Sequence, residues 1–246
     1  MPVPSSLDAS PARSGRLPWG ALALILLAIL LGMAALGVRW GAVDVPTLGW
    51  IDFITMRGRE TSWGTILYDV RLPRVLLAMV AGLGLASSGA TWQALLRNPL
   101  ADSYLIGVSS GGALGAAIAI FFGDRLPGGS NLVPAFAFLG SLGAVAFVYT
   151  LAGRHRTFSI ERVLLVGMAV GAFFSAILSL LTYWHAESVT TLYFWMLGGF
   201  SGRGWAELYQ MLPYLGVGLL LILSQVRHLN VMQLGPERAR SLGVNV

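Results

Sequence analysis

RLPRVLLAMVAGLGLASSGATWQALLRNPLADSYLIGVSSGGALGAAIAIFFG, residues 71–123, holds two charge-free helical lengths joined by a tight corner. The run from Val75 to Leu96 carries no charge over 22 residues. At about 1.5 Å per residue, such a helix spans the roughly 30 Å hydrocarbon core of a bilayer. Pro99 lacks a backbone donor and disfavours helical geometry at Asn98, so the helix must end there. Asp102 or Ser103 can cap a second helix, Ser103–Gly123, and the chain turns back in about five residues. Small residues recur in both helices: Gly107, Gly111 and Gly115 at four-residue spacing, and Gly82, Gly84, Ser87, Ser88 and Gly89 along the first. In lipid, apolar surfaces gain little by meeting one another, and such spacing serves close backbone packing.

The whole composition agrees with a membrane chain. Of 246 residues 56% are hydrophobic and only 11% charged, with a mean hydropathy of +0.73, whereas about a quarter of the residues in soluble domains are charged. The net charge of +5 does not point to nucleic acid, because the 16 basic residues lie in the breaks between apolar runs and form no single stripe. All 16 are arginine. Without a lysine the chain cannot form a P-loop, so energy from ATP has to come from a partner. With no cysteine there is neither a disulfide nor a thiolate metal site.

Working outward, residues 1–16 form a polar tail with Arg13 and Arg16 at its end. Leu17–Val38 is charge-free over 22 residues, longer than the roughly 7–15 residues of a signal-peptide core, which favours a retained first helix over the alternative of a cleaved signal. Arg39–Asp69 mixes charges with Trp40, Trp50, Phe53 and Trp63, and is expected to be an external loop with headgroup-level anchors. Gly123–Asn131 contains the glycines and proline of a turn. Asn131–Gly153 and Val163–Trp184 are further spans, the second with Gly167 and Gly171 in GxxxG spacing. SVTTLYFWMLGGFSGRG, residues 188–204, is apolar but too short to cross, and predicts a short helix at the outer face. Leu208–Val226 is the last span.

The expectation is an all-α polytopic membrane protein, with a cytoplasmic tail at 1–16, about six transmembrane helices within 17–226, and a cytoplasmic segment at 227–246. A cytoplasmic amino terminus places nine of the sixteen arginines on the inner side, in short loops and tails.

RLPR, then SGATWQALLRNPLAD and LIGVSSGGALG, in this order, with LGPERARSLGVNV near the carboxyl end, resemble the permeases of ABC importers that take up iron chelates, haem and cobalamin. The resemblance implies the type II importer permease fold and a multi-pass place in the cell inner membrane. It implies three partners: an ATP-binding subunit, a periplasmic or lipoprotein substrate-binding protein, and a second permease subunit in a homo- or heterodimer. No cofactor is implied. A ferric siderophore is the expected cargo, with haem, cobalamin or a non-transporting scaffold role as alternatives. An ion-coupled carrier would need ionisable groups within its spans, and none lies between the span ends.

The resemblance also assigns roles to residues. Arg71 and Arg74, three apart and so on one helix face, match the docking point for acidic residues of the binding protein, a contact that suits the arginine fork; membrane-interface snorkelling is the plainer alternative. Asn98, Pro99 and Leu100, with Ser159 in a later inner loop, match the cytoplasmic gate, although Asn98 and Pro99 would also serve simply to end their helix. Leu234, Gly235, Pro236, Glu237, Arg238, Ala239, Arg240, Leu242 and Gly243 match the segment that couples to the ATPase. There Pro236 suits a first helical turn, Glu237 its positive end and Gly243 its stop, while the family often has an acidic residue where this chain has Pro236. Gln93 needs an amide partner inside its span, on a neighbouring helix or along a pathway. His155, His185 and His228 lack metal-ligand spacing, and no metal site is assigned. Because the family has about ten transmembrane helices, the chain is expected to be a C-terminally truncated version covering about two thirds of a member.

Overall fold

The computed structural model describes residues 18–46, 50, 61–125, 129–153 and 159–243. It resolves into two compact units, Met1–Leu76 and Leu77–Val246.

In the first unit, α1 (Trp19–Arg39) fills the first charge-free run and closes with the Trp40 N–H on the Leu36 carbonyl at 2.8 Å. The stretch expected as an external loop up to Asp69 is helical from Ser62 onward. Thr61 caps a four-residue turn, Ser62–Thr65, by accepting from the Gly64 N–H at 3.1 Å. The chain then continues as a π-helix, Ile66–Arg71. Mixed composition concealed this helix because only one side of it is apolar: Gly64 and Leu67 are buried while Asp69 and Val70 face outward. Pro73 explains the π geometry. In an α-helix its ring would collide with the Asp69 carbonyl, and its missing N–H would leave that carbonyl unpaired; widening the preceding turn relieves the conflict. The Leu72 N–H accordingly bonds Leu67, five residues back.

α2 (Leu72–Leu96) begins in the first unit and ends in the second. The second unit continues with a 3₁₀ turn (Ser103–Ile106), α3 (Val108–Phe122), α4 (Val133–Ala152), α5 (Ile160–Trp184), α6 (Val189–Leu197), α7 (Trp205–Met232) and α8 (Pro236–Ser241). The turn expected at Gly123–Asn131 is made of 3₁₀ pieces at Gly123–Arg125 and Gly129–Leu132, with residues 126–128 outside the described residues. The expected basic inner loop with Arg154, His155 and Arg156 also lies outside them.

By length and composition, α1, the continuous helix Ser62–Leu96, α4, α5 and α7 can each cross a bilayer. The expected second helix of the corner, Ser103–Gly123, is shorter than its apolar run. Gly107 adopts φ 74°, in the left-handed region, so the α-helix starts only at Val108 and has 15 residues. Nor do Asp102 and Ser103 cap it: the Ser103 hydroxyl donates to the Asp102 carboxylate at 3.1 Å, and the Asp102 side chain accepts no backbone N–H of the turn it precedes.

α3 is wrapped by protein. A Cβ on Gly111 would lie 2.5 Å from the Gly140 carbonyl oxygen and 2.6 Å from the Ala144 Cβ, and one on Gly115 or Gly140 would run into the facing helix's backbone. α3 and α4 therefore meet backbone to backbone, joined by the Ser141 hydroxyl donating to the Val108 carbonyl at 3.1 Å. On another side, a Cβ on Gly167 of α5 would lie 2.7 Å from the Ile106 Cα. Ile106, Val148 and Val170 form one buried cluster at this junction, and Ala116, Ala119 and Val133 another nearer the end of α3. The glycines of α2 behave differently, since Gly82 and Gly89 face open space while Gly84 is close to another helix, with its Cβ position 3.3 Å from Leu215.

Candidate functional site

The residues expected to carry function fall at three places. At the entrance to α2, Arg71 and Arg74 occupy different environments. Arg71 is only 7% exposed. Its guanidinium donates to the carbonyls of Val38 at 3.0 Å and Arg39 at 2.7 Å, and also to that of Val43. It is thus turned into its own unit and does not stand beside Arg74 as a surface pair. Arg74 is half-buried, its buried Nε makes no hydrogen bond, and among the described residues it enters no ion pair.

At the NPLAD corner, α2 ends with Arg97 at φ 50° in the left-handed region, and the Asn98 N–H reaches back to the Gln93 carbonyl at 3.2 Å. This is the close of a Schellman turn, with arginine in the place glycine usually takes. The Asn98 side chain accepts from the Leu100 N–H at 2.9 Å, so it caps the corner and not the helix. Gln93, expected to bond another helix or line a pathway, instead donates to the Pro99 carbonyl at 3.0 Å. Amide groups thus brace the corner from both sides and leave Leu100 85% exposed. Beside it is a cavity of about 460 Å³ lined by Gln93, Arg97, Asn98, Pro99 and, from the end of α7, Gln233. The chain following α7 runs alongside, with Gly235 next to the Arg97 guanidinium. Ser159 is not among the residues lining this cavity; its hydroxyl caps α5, accepting from the Arg162 N–H at 3.2 Å.

The coupling-like segment forms the short helix α8 as its sequence anticipates. Pro236 stands in the first turn, Gly235 precedes it at φ 99° and Gly243 ends it at φ 80°. Ala239 is fully buried, whereas Leu234, Glu237, Arg238, Arg240 and Leu242 are exposed. One small side chain is buried, and the charged ones are exposed.

Sequence reasoning missed a fourth place. α3 to α6 border an open cavity of about 750 Å³ whose polar lining includes Ser109, Ser110, Ser141 and Ser175, with Trp195 at its wall. No charged side chain lines it. The signal was present in the GVSSG motif, whose serines follow the left-handed Gly107. Among the described residues, no three histidine or carboxylate side chains gather as a metal site would require.

Residues 23–246 match the FecCD transport family. The chain belongs to that family. Its FecCD relatives include an uncharacterized ABC transporter permease, YvrB, of Bacillus subtilis, 35% identical over 86% of this chain and 62% of that protein. The molybdate import system permease MolB of Haemophilus influenzae is 34% identical over 91% of the chain and 66% of its own length. The vitamin B12 import system permease BtuC of Shigella boydii is 38% identical over 90% and 63%. The chain therefore spans somewhat less than two thirds of the length of these FecCD relatives. Among solved structures, an inward-facing ABC transporter of metal-chelate type superposes with a TM-score of 0.77 at 29% identity, covering 92% of this chain and 69% of that one. Helical, multi-pass and of the ABC permease fold, the chain has homologues that are transport subunits and not enzymes.

Proposed function

We propose that this chain is the membrane-spanning permease subunit of an ABC importer in the inner membrane, with its amino terminus cytoplasmic. ATP hydrolysis belongs to a separate subunit, and a second permease completes the pathway. The observation that carries this is the juxtaposition at the inner end of α2: the NPLAD corner shares a cavity with Gln233, and Gly235, which leads into α8, lies beside Arg97. A push on α8 from an ATPase is delivered next to the segment that closes the pathway, Asn98 to Leu100. Transport is then a switch between two arrangements that bind the partners differently, without covalent chemistry. Ser159 joins the gate by fixing where α5 begins. On the outer side, Arg74 offers its charge to an acidic binding protein.

The exposed set Leu234, Glu237, Arg238, Arg240 and Leu242 is the ATPase contact. Pull-down of the cognate ATPase by the detergent-solubilised chain tests it. Reversing the charges with Glu237→Arg, Arg238→Glu and Arg240→Glu is expected to weaken retention about tenfold or more, ~1.4 kcal/mol. Unchanged retention would favour a scaffold role.

A ferric siderophore is the proposed cargo: the 750 Å³ cavity offers hydroxyls and apolar walls without charge, which suits a bulky chelate better than a bare oxyanion or metal ion. Cobalamin is the second reading, favoured by the BtuC relatives. Uptake of radiolabelled ferric chelate against radiolabelled cobalamin, in cells supplying the cognate ATPase and binding protein, decides between them.

A further inference from the structure

We infer that Arg71 is a positioning residue, a clamp that fixes the end of α1 against the entrance of α2 and so sets where Arg74 stands; the link to docking rests on the importer reading above. The last carbonyls of any helix lack intrahelical partners, and in a chain entering lipid they cannot be left bare. α1 ends at Arg39, and 32 residues later in sequence Arg71 supplies the missing donors, spreading its fork over the carbonyls of Val38, Arg39 and Val43. A cation at this pole also matches the negative end of the α1 dipole.

Two neighbouring features serve the same contact. Arg71 is the last residue of the π-helix, where the widened turn changes the direction of every side chain before α2. Gly41 lies flat against the guanidinium: a Cβ there would come within 2.8 Å of the Arg71 Cζ. A side chain at position 41 would push the fork off its carbonyls. Since Arg74 follows one turn after Arg71 on the same helix, loosening the clamp moves Arg74 as well. A lysine cannot replace this arginine, because a single ammonium does not reproduce the planar fork.

The test turns on charge against shape. The protein has no cysteine, so Val38→Cys places a single reporter thiol at a buried position beside the clamp. In detergent, maleimide labelling of this thiol is expected to be slow with Arg71 present. It should become several-fold faster in Arg71→Lys, Arg71→Ala and Gly41→Val, although Arg71→Lys and Gly41→Val keep every positive charge. Affinity for the cognate binding protein should fall at least about tenfold in the same three variants. Arg74→Ala should lose that affinity while labelling stays slow. If Gly41→Val proves too severe to purify, Gly41→Ala gives the same comparison with a smaller group. Slow labelling and full affinity in Arg71→Lys would overturn the clamp and leave a simple docking charge. If the unaltered chain fails to bind the binding protein while Arg71→Lys still labels fast, the clamp stands and the importer reading falls.

Discussion

α3 and α7 are both glycine-bearing apolar helices of one compact unit, yet their glycines do opposite things. In α3, Gly111, Gly112 and Gly115 are buried, and Cβ atoms at Gly111 and Gly115 would enter the backbone of α4. In α7, Gly216 and Gly218 have nothing within 4 Å of where a Cβ would stand, and Leu208 is the buried residue of the helix. The difference lies in spacing. Glycines four apart stack on one helical face and make a groove for another backbone, as Gly111 and Gly115 do, whereas glycines two apart point in different directions and make none. Gly167 and Gly171 of α5 follow the first rule, and Gly82 and Gly84 of α2 largely follow the second.

Breaking the seam should give the largest effect. Gly115→Leu is expected to cost at least about 3 kcal/mol, because backbone must move to admit it. Gly216→Leu should stay within about 0.5 kcal/mol. Thermal unfolding with size-exclusion chromatography in detergent compares them directly, and similar losses in both would sink the distinction. Gly107→Ala comes next, at about 1–2 kcal/mol for a left-handed non-glycine residue; the crowding of its Cβ position against Gly167 and Gly171 adds to this. The same measurement should show a lowered midpoint. Arg97 is the converse case, a left-handed position already occupied by a non-glycine residue on the open side near Gln233. Arg97→Gly should therefore stabilise by about 1 kcal/mol, read as a raised midpoint. Ser141→Ala removes the Ser141 hydroxyl's bond across the seam and should cost about 0.6 kcal/mol; a loss comparable with Gly115→Leu would mean that the hydroxyl, and not the fit, holds α3 to α4.

The spans were legible because a charge-free run of about 20 residues has few other fates: α4, at Val133–Ala152, lies within two residues of its expected ends, while α7 runs from Trp205 to Met232, six residues past the expected Val226. The corner was legible because Pro99 leaves the chain few options. What could not be read depended on partners distant in sequence or on a choice glycine leaves open. Gly107 fits a helix or a left-handed cap equally well, and only its packing against α5 decides. Arg71 carries the same charge whether it faces a partner or its own carbonyls. The helix at Ser62–Arg71 was masked by polar residues that merely line its outer side. The α8 helix was legible to within a residue, since proline and glycine mark both its ends.

The shortness of α3 has a consequence for how the protein is made. Fifteen residues give about 22 Å of helix, less than the bilayer's roughly 30 Å, and the 3₁₀ turn before it exposes polar backbone that lipid cannot satisfy. Emerging alone from the ribosome, α3 is a poor candidate for release into the membrane by the translocon. It becomes acceptable once α4 supplies its groove and α5 covers Gly107, which predicts an ordered insertion, with α3 held back until the two helices that follow it have been synthesised.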